Sequence, residues 1–132
     1  QHEQGIDIDR EKLSTLEQDE FMAVEAKMKT RSISSLLTLP TAEEPTTRVT
    51  IKLLVVLDPT TYILGDIELY SFINLKATAL SIEHGNIDSS IKAYANYGLL
   101  LTLMKAQYQR GYEFGEMALN LSYQRNSKAQ RC

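Results

Sequence analysis

The chain has 132 residues, the size of one domain, long enough to close a core without a disulfide or a metal. Hydrophobic residues make up 43%, which excludes wholesale disorder, and a net charge of -3 argues against a nucleic-acid surface. The one cysteine, Cys132, cannot form an internal disulfide, so a reducing cytoplasm is the expected setting. It and the 2 histidines lie too far apart for a metal-ligand pattern, and no apolar run reaches the ~18 residues of a membrane span. The N-terminus lacks a signal-peptide pattern and begins with Gln1, as a piece of a longer protein would.

Residues 1–9 are polar and expected to fray. From Asp9, apolar residues at Leu13, Leu16, Met22, Val24 and Met28 recur at helical intervals. They predict a helix from about Leu16 to Thr30 that extends at most to Leu37. Pro40 stops the preceding helix, and Pro45 suits the first turn of the next. That helix is expected over Pro45 to Leu57, with Val49, Leu53, Val56 and Leu57 on its apolar face. The β-branched run from Val49 to Val56 also fits a strand, but a lone strand cannot satisfy its backbone. Asp58-Pro59 and Gly65 bound a broken segment.

Three longer helices follow. The first, Asp66 to His84, sets Leu69, Ile73, Ala77 and Leu80 along one side. Gly85 stands where a left-handed helix-ending residue is wanted. The second, Asp88 to Met104, is apolar nearly all round at Leu99-Leu100-Leu101 and is expected at the centre. The third runs from Tyr108 to Arg125, ends at Asn126-Ser127, and leaves 127–132 as a disordered tail. The short connections make sequential helices antiparallel neighbours. A weak echo supports a repeat: Leu75 to Ile82 aligns with Phe114 to Leu121 at an offset of 39, within the helical-repeat range.

Gly98, Gly111, Gly115 and Ala118 recur at helical spacing. Each interior glycine costs about 1 kcal/mol against alanine, a cost that close helix approach can offset. Their spacing matches the small residues at the helix crossing of a tetratricopeptide repeat, though no Trp is present and the Gly98–Gly111 interval is one residue long.

The block from Ser81 to Leu121 resembles a segment of large bacterial multi-domain signalling proteins, common in cyanobacteria. These join a serine/threonine-kinase-like domain, a predicted P-loop ATPase, a tetratricopeptide-like helical region, GAF or PAS sensors and often a histidine kinase. The residues that carry the resemblance are His84-Gly85-Asn86, Ser90-Ile91-Lys92-Ala93-Tyr94 and Gly111-Tyr112-Glu113-Phe114-Gly115-Glu116-Met117-Ala118-Leu119, with Ile33 to Pro40 upstream. The family's kinase, P-loop and histidine-kinase motifs do not occur in this chain, so its activities do not transfer. What the resemblance implies is a linker and interaction region between ATPase and output.

His84, Asp88, Ser89 and Ser90 form the one nucleophile-like group, but residues on either side of a helix-breaking turn point apart. A helix C-cap at Gly85 and an N-cap at Asn86 or Asp88 explain the same residues. Asp7, Asp9, Glu11, Glu17, Asp19 and Glu20 lack calcium-loop spacing and read as a solvated helix face. Tyr94, Tyr97, Tyr108 and Tyr112, with Asn96, Gln107 and Gln109, either line an interaction groove or pack between helices with hydroxyls at the rim. Gly111 to Gly115 is a packing motif, because no strand precedes it to make a phosphate loop.

The expected fold is all-α, six or seven helices in a single domain over 10–126, the last four stacked as antiparallel hairpins in a short tetratricopeptide-like solenoid. The expected function is non-catalytic protein interaction and signal relay, without cofactor. Partners are flanking domains, another signalling protein or a second copy, since the end of such a stack exposes an apolar edge. The alternative is a small-ligand-sensing arm of a P-loop regulatory ATPase. That reading calls for a polar-lined pocket with Tyr94 or Tyr112 at its wall.

Overall fold

The structure, a computed structural model, describes residues 9–131, and side chains as far as residue 127. The expected frayed stretch 1–9 therefore lies outside the described residues except for Asp9, and so does Cys132. Five α-helices follow in order: α1 Arg10–Met28, α2 Pro45–Ile63, α3 Ile67–His84, α4 Asp88–Lys105 and α5 Tyr108–Arg131, with a 3₁₀-helix at Ile33–Thr38 between α1 and α2. No strand occurs among the described residues, only an isolated parallel bridge between Thr41 and Asn86. The class is all-α.

Local chemistry starts each helix. Asp9 accepts the Lys12 amide at the head of α1, Glu44 the Thr47 amide at the head of α2, and Asp66 the Leu69 amide at the head of α3. Pro45 occupies the first turn of α2 as expected. Helix α1 begins six residues before the expected Leu16, because Asp9 caps it, and stops at Met28. Its proposed extension to Leu37 is replaced by the 3₁₀-helix, capped by Ser32.

Two differences concern α2 and α5. Helix α2 runs through Pro59 to Ile63, past the expected end at Leu57. The residues it buries, Ile51, Val55, Asp58 and Thr61, continue one face across the proline, and this packing offsets the lost backbone bond. The expected face is the wrong one: Val49, Leu53, Val56 and Leu57 are all at least half exposed. This helix is apolar around much of its circumference, so periodicity alone did not choose the side. Helix α5 does not end at Asn126-Ser127 but continues to Arg131, so the described part of the expected tail is helical.

Helices α4 and α5 make the most extensive contact, α3 packs on α1, α2 and α4, and the 3₁₀-helix lies on α5. The main core joins Val24, Leu36, Leu75, Tyr97, Leu101 and Phe114 from five elements. The sequence echo is real as a burial pattern. Leu75, Thr78, Ala79 and Ile82 on α3 are buried, and so are Phe114, Met117, Ala118 and Leu121 at the same offset on α5. Helix α1 lies against both of the last two helices: its Glu25 reaches Tyr97 of α4 and Arg110 of α5.

Candidate functional site

The junction between α3 and α4 is built around Gly85 and Asn86. Gly85 has φ +117° and ψ 172°. This is not the left-handed helical cap expected from the sequence but an extended positive-φ conformation that only glycine adopts readily. A Cβ here would collide with the Pro40 carbonyl and sit 2.9 Å from the Ala42 nitrogen. The segment 40–42 runs alongside: the Asn86 amide donates to the Pro40 carbonyl (2.8 Å), and the Ala42 amide to the Asn86 carbonyl (3.0 Å). The buried Asn86 side chain donates to the Leu36 carbonyl (2.9 Å) and accepts the Tyr94 hydroxyl (2.5 Å). One turn thus fastens α3, α4, the 3₁₀-helix and the loop after it.

The nucleophile-like group separates in space. His84 is exposed at the end of α3, and exposed Asp88 pairs with Arg125 at 2.5 Å. Ser90 is buried; its Oγ accepts the Ile87 amide (3.0 Å) and shares a hydrogen bond with Ser81 Oγ (2.6 Å). The N-cap of α4 is therefore Ile87, assisted from the third helical position by Ser90, and not Asn86 or Asp88. Asn86 is committed to tertiary bonds instead.

Ser90 belongs to a buried polar ladder between α3 and α4 that the sequence reading missed. Asn74, Thr78 and Ser81 on α3 face Asn96, Ala93 and Ser90 on α4. Thr78 Oγ1 donates to the Ala93 carbonyl (3.2 Å), and Asn96 Nδ2 donates to Asn74 Oδ1 and to Asp58 Oδ2 (both 2.9 Å). Lys92 Nζ completes the Asp58 pair at 3.2 Å. No buried side-chain nitrogen or oxygen lacks a partner among the described residues, so the ladder favours one helix register. The spacing of three and four among Asn74, Thr78 and Ser81 was the available signal; small polar residues inside an apolar helix mark the face that meets another such face.

Tyr94 and Tyr97 are fully buried: they pack between helices, the second of the two readings, and do not belong to an interaction surface, while their hydroxyls are inside and not at a rim. Tyr97 stacks edge-on against Phe114 with ring centroids 4.8 Å apart, and its hydroxyl donates to Glu25, which is held by Arg110 at 2.7 and 3.1 Å. Burial raises both phenols above the ordinary tyrosine pKa of 10.0, and the Glu25 carboxylate adds to the rise at Tyr97. The folded state holds these protons more tightly than the unfolded chain does, so the stabilisation is complete below pH 10 and is lost as pH rises beyond it. An alkaline titration should show two tyrosines whose ionisation, followed by ultraviolet absorbance, coincides with loss of helical circular dichroism. Full ionisation of all seven before any unfolding would contradict the burial. Tyr108 and Tyr112 are exposed, as an interaction surface requires.

The glycine pattern divides in the same way. Gly98 and Gly111 make the crossing of α4 and α5: a Cβ on Gly98 would lie 2.7 Å from the Gly111 carbonyl, and a Cβ on Gly111 would strike Thr102. Ala118, about two turns further along α5, is buried in the main core. Gly115 meets the crossing only through its backbone nitrogen, 3.3 Å from where a Gly98 Cβ would stand; its own Cβ would point into open space, so the crossing does not require glycine there.

Two apolar surfaces remain open. A groove of about 500 Å³ lies between the ends of α2, α3 and α4, lined chiefly by Tyr62, Ile67, Tyr70, Leu99, Leu103 and Met104, with Asp58 and Asn96 at its floor. Neither Tyr94 nor Tyr112 is at its wall, and its lining is mostly apolar, so it lacks what the ligand-sensing alternative calls for. The other surface is the outward face of α2, where Val49, Leu53, Val56 and Ile63 are 54%, 58%, 65% and 80% exposed. Val49, Leu53 and Val56 are the residues expected on the inward face. No cluster of three metal-ligating side chains occurs, and no helix is long and apolar enough to cross a membrane, among the described residues. Comparison with protein-family models, curated proteins and solved structures finds no match.

Proposed function

We propose that this chain is a non-catalytic protein-interaction and signal-relay segment, belonging to a larger cytoplasmic bacterial signal-transduction kinase/ATPase, with α2 to α5 acting as a short tetratricopeptide-like stack. The observation that supports it is the outward face of α2. Large apolar patches on soluble proteins mark sites where another surface docks. Here the patch runs the length of a 19-residue helix on the side opposite the core. The internal geometry agrees with a rigid platform: the polar ladder fastens α2, α3 and α4 to one another through Asp58, Asn74 and Asn96, and leaves the outward face of α2 free. The residues that looked catalytic in sequence are used for helix ends and inter-helix bonds.

The test places a photo-reactive phenylalanine derivative at Leu53, on the seam, or at Gln124, an exposed position on α5, in the chain expressed in bacterial cells. Ultraviolet light is expected to give protein adducts at position 53 and none at 124. No adduct at 53, or equal adducts at both, would overturn the reading.

A further inference from the structure

Helix α2 has two faces, and the outward one is the more regular. Val49, Leu53, Val56, Thr60 and Ile63 follow at intervals of four, three, four and three residues. This alternation is the apolar seam of a coiled coil. Leu57 and Leu64, 50% and 75% exposed, border it. Ile51, Val55 and Asp58 on the opposite side hold the helix to the protomer, so the seam is presented rigidly.

We infer that the seam is covered by a second copy of this chain, with α2 lying antiparallel to the partner's α2 about a two-fold axis near Val56. The inference rests on the interaction reading and names its partner. Three features select this occupant. The first is area: a stable pair needs roughly 800 Å² from each side, and six large apolar side chains at least half exposed along about four turns, from Val49 to Leu64, supply an area of that order. The second is self-complementarity. With Val56 on the axis, Val49 meets the partner's Ile63 and Leu53 meets the partner's Thr60, so the smaller member of each pair faces the larger. The interface is then isologous and closes at two copies.

The third is charge. The exposed charged side chains of α2 are Arg48 and Lys52, both in its first half, since Asp58 is buried. Arg48 also donates to the Ala42 carbonyl at 2.7 Å. Parallel pairing would set each cation against its own copy. Antiparallel pairing sets them beside the C-terminal end of the partner's α2, where the helix carbonyls carry partial negative charge and the partner's Glu68 follows, the nearer Asp66 being already paired with Arg10 of its own chain.

The test uses the full chain carrying Cys132→Ser, so that an added cysteine is the only thiol. Analytical ultracentrifugation is expected to show a dimer with a micromolar dissociation constant. Leu53→Glu is exposed in the protomer and should leave circular dichroism and thermal melting of the protomer intact, while weakening the dimer by about 100-fold or more. On mild oxidation, Val56→Cys should form a disulfide dimer with itself. Val49→Cys and Ile63→Cys should each fail alone and cross-link when mixed. Self-linking by Val49→Cys would overturn the antiparallel arrangement, and a dimer indifferent to Leu53→Glu would overturn the seam. A monomer at every concentration would overturn the second copy as occupant. In that case adducts to other proteins at position 53 leave the interaction reading standing, and no adduct removes both.

Discussion

Gly85→Ala is expected to destabilise the fold by about 3 kcal/mol or more, seen as a large drop in the urea midpoint with little change in slope. Two costs add. A side chain at φ +117° and ψ 172° sits in a region that L-residues avoid, worth ~1–3 kcal/mol by itself. The new Cβ also has no room: the Pro40 carbonyl and the Ala42 nitrogen are backbone atoms that cannot rotate away. Moving them breaks the paired bonds between Asn86 and segment 40–42. Gly65→Ala separates the two costs. Gly65 also has a positive φ, +75°, but a Cβ there meets nothing within 4 Å. It should cost only about 1 kcal/mol. Equal losses at the two positions would mean that the contact with segment 40–42 contributes nothing.

The second large effect is a change of sign between two glycines on the same crossing. Helix propensity alone predicts that Gly98→Ala and Gly115→Ala each stabilise by about 1 kcal/mol. At Gly115 the Cβ enters open space, so a gain of roughly that size is expected. At Gly98 the Cβ would stand 2.7 Å from the Gly111 carbonyl and 3.3 Å from Phe114 Cβ. Helices α4 and α5 must separate along their most extensive contact, and the net result should be a loss of ~1–3 kcal/mol. Thermal melts of the two variants should move in opposite directions. A stabilised Gly98→Ala would show that the crossing has slack.

These pairs show how far local pattern reaches. Gly85 was legible as the residue that stops one helix, because few residues tolerate a reversed φ, whereas Asn86, expected to start the next, leaves that cap to Ile87. Their geometry was not legible. The backbone of Gly85 is shaped by segment 40–42, more than forty residues away in sequence, and Asn86 bonds to Leu36 and Tyr94 in place of its own helix. Spacing put Gly98, Gly111 and Gly115 on one list, since a row of small residues has the same period whether or not a neighbour lies over each. Tyr94 and Tyr97 misled for the reverse reason. An amphipathic ring suits a surface, yet Asn86 and Glu25 give these hydroxyls partners inside the protein.

The amino-acid sequence by itself determined the class and the order of the helices: sparse breakers, Pro45 in a first turn, Gly85 between two helices, and apolar periodicity sufficient for helices that pack antiparallel. The tertiary structure alone decided which side of α2 faces inward. On α2 both faces are apolar, so hydrophobicity could not discriminate. The choice falls to Asp58, which the buried amide of Asn96 and the ammonium of Lys92 can satisfy only when Ile51 and Val55 point to the core. A buried carboxylate without partners costs far more than an exposed valine, and for that reason Val49, Leu53 and Val56 are left on the outside.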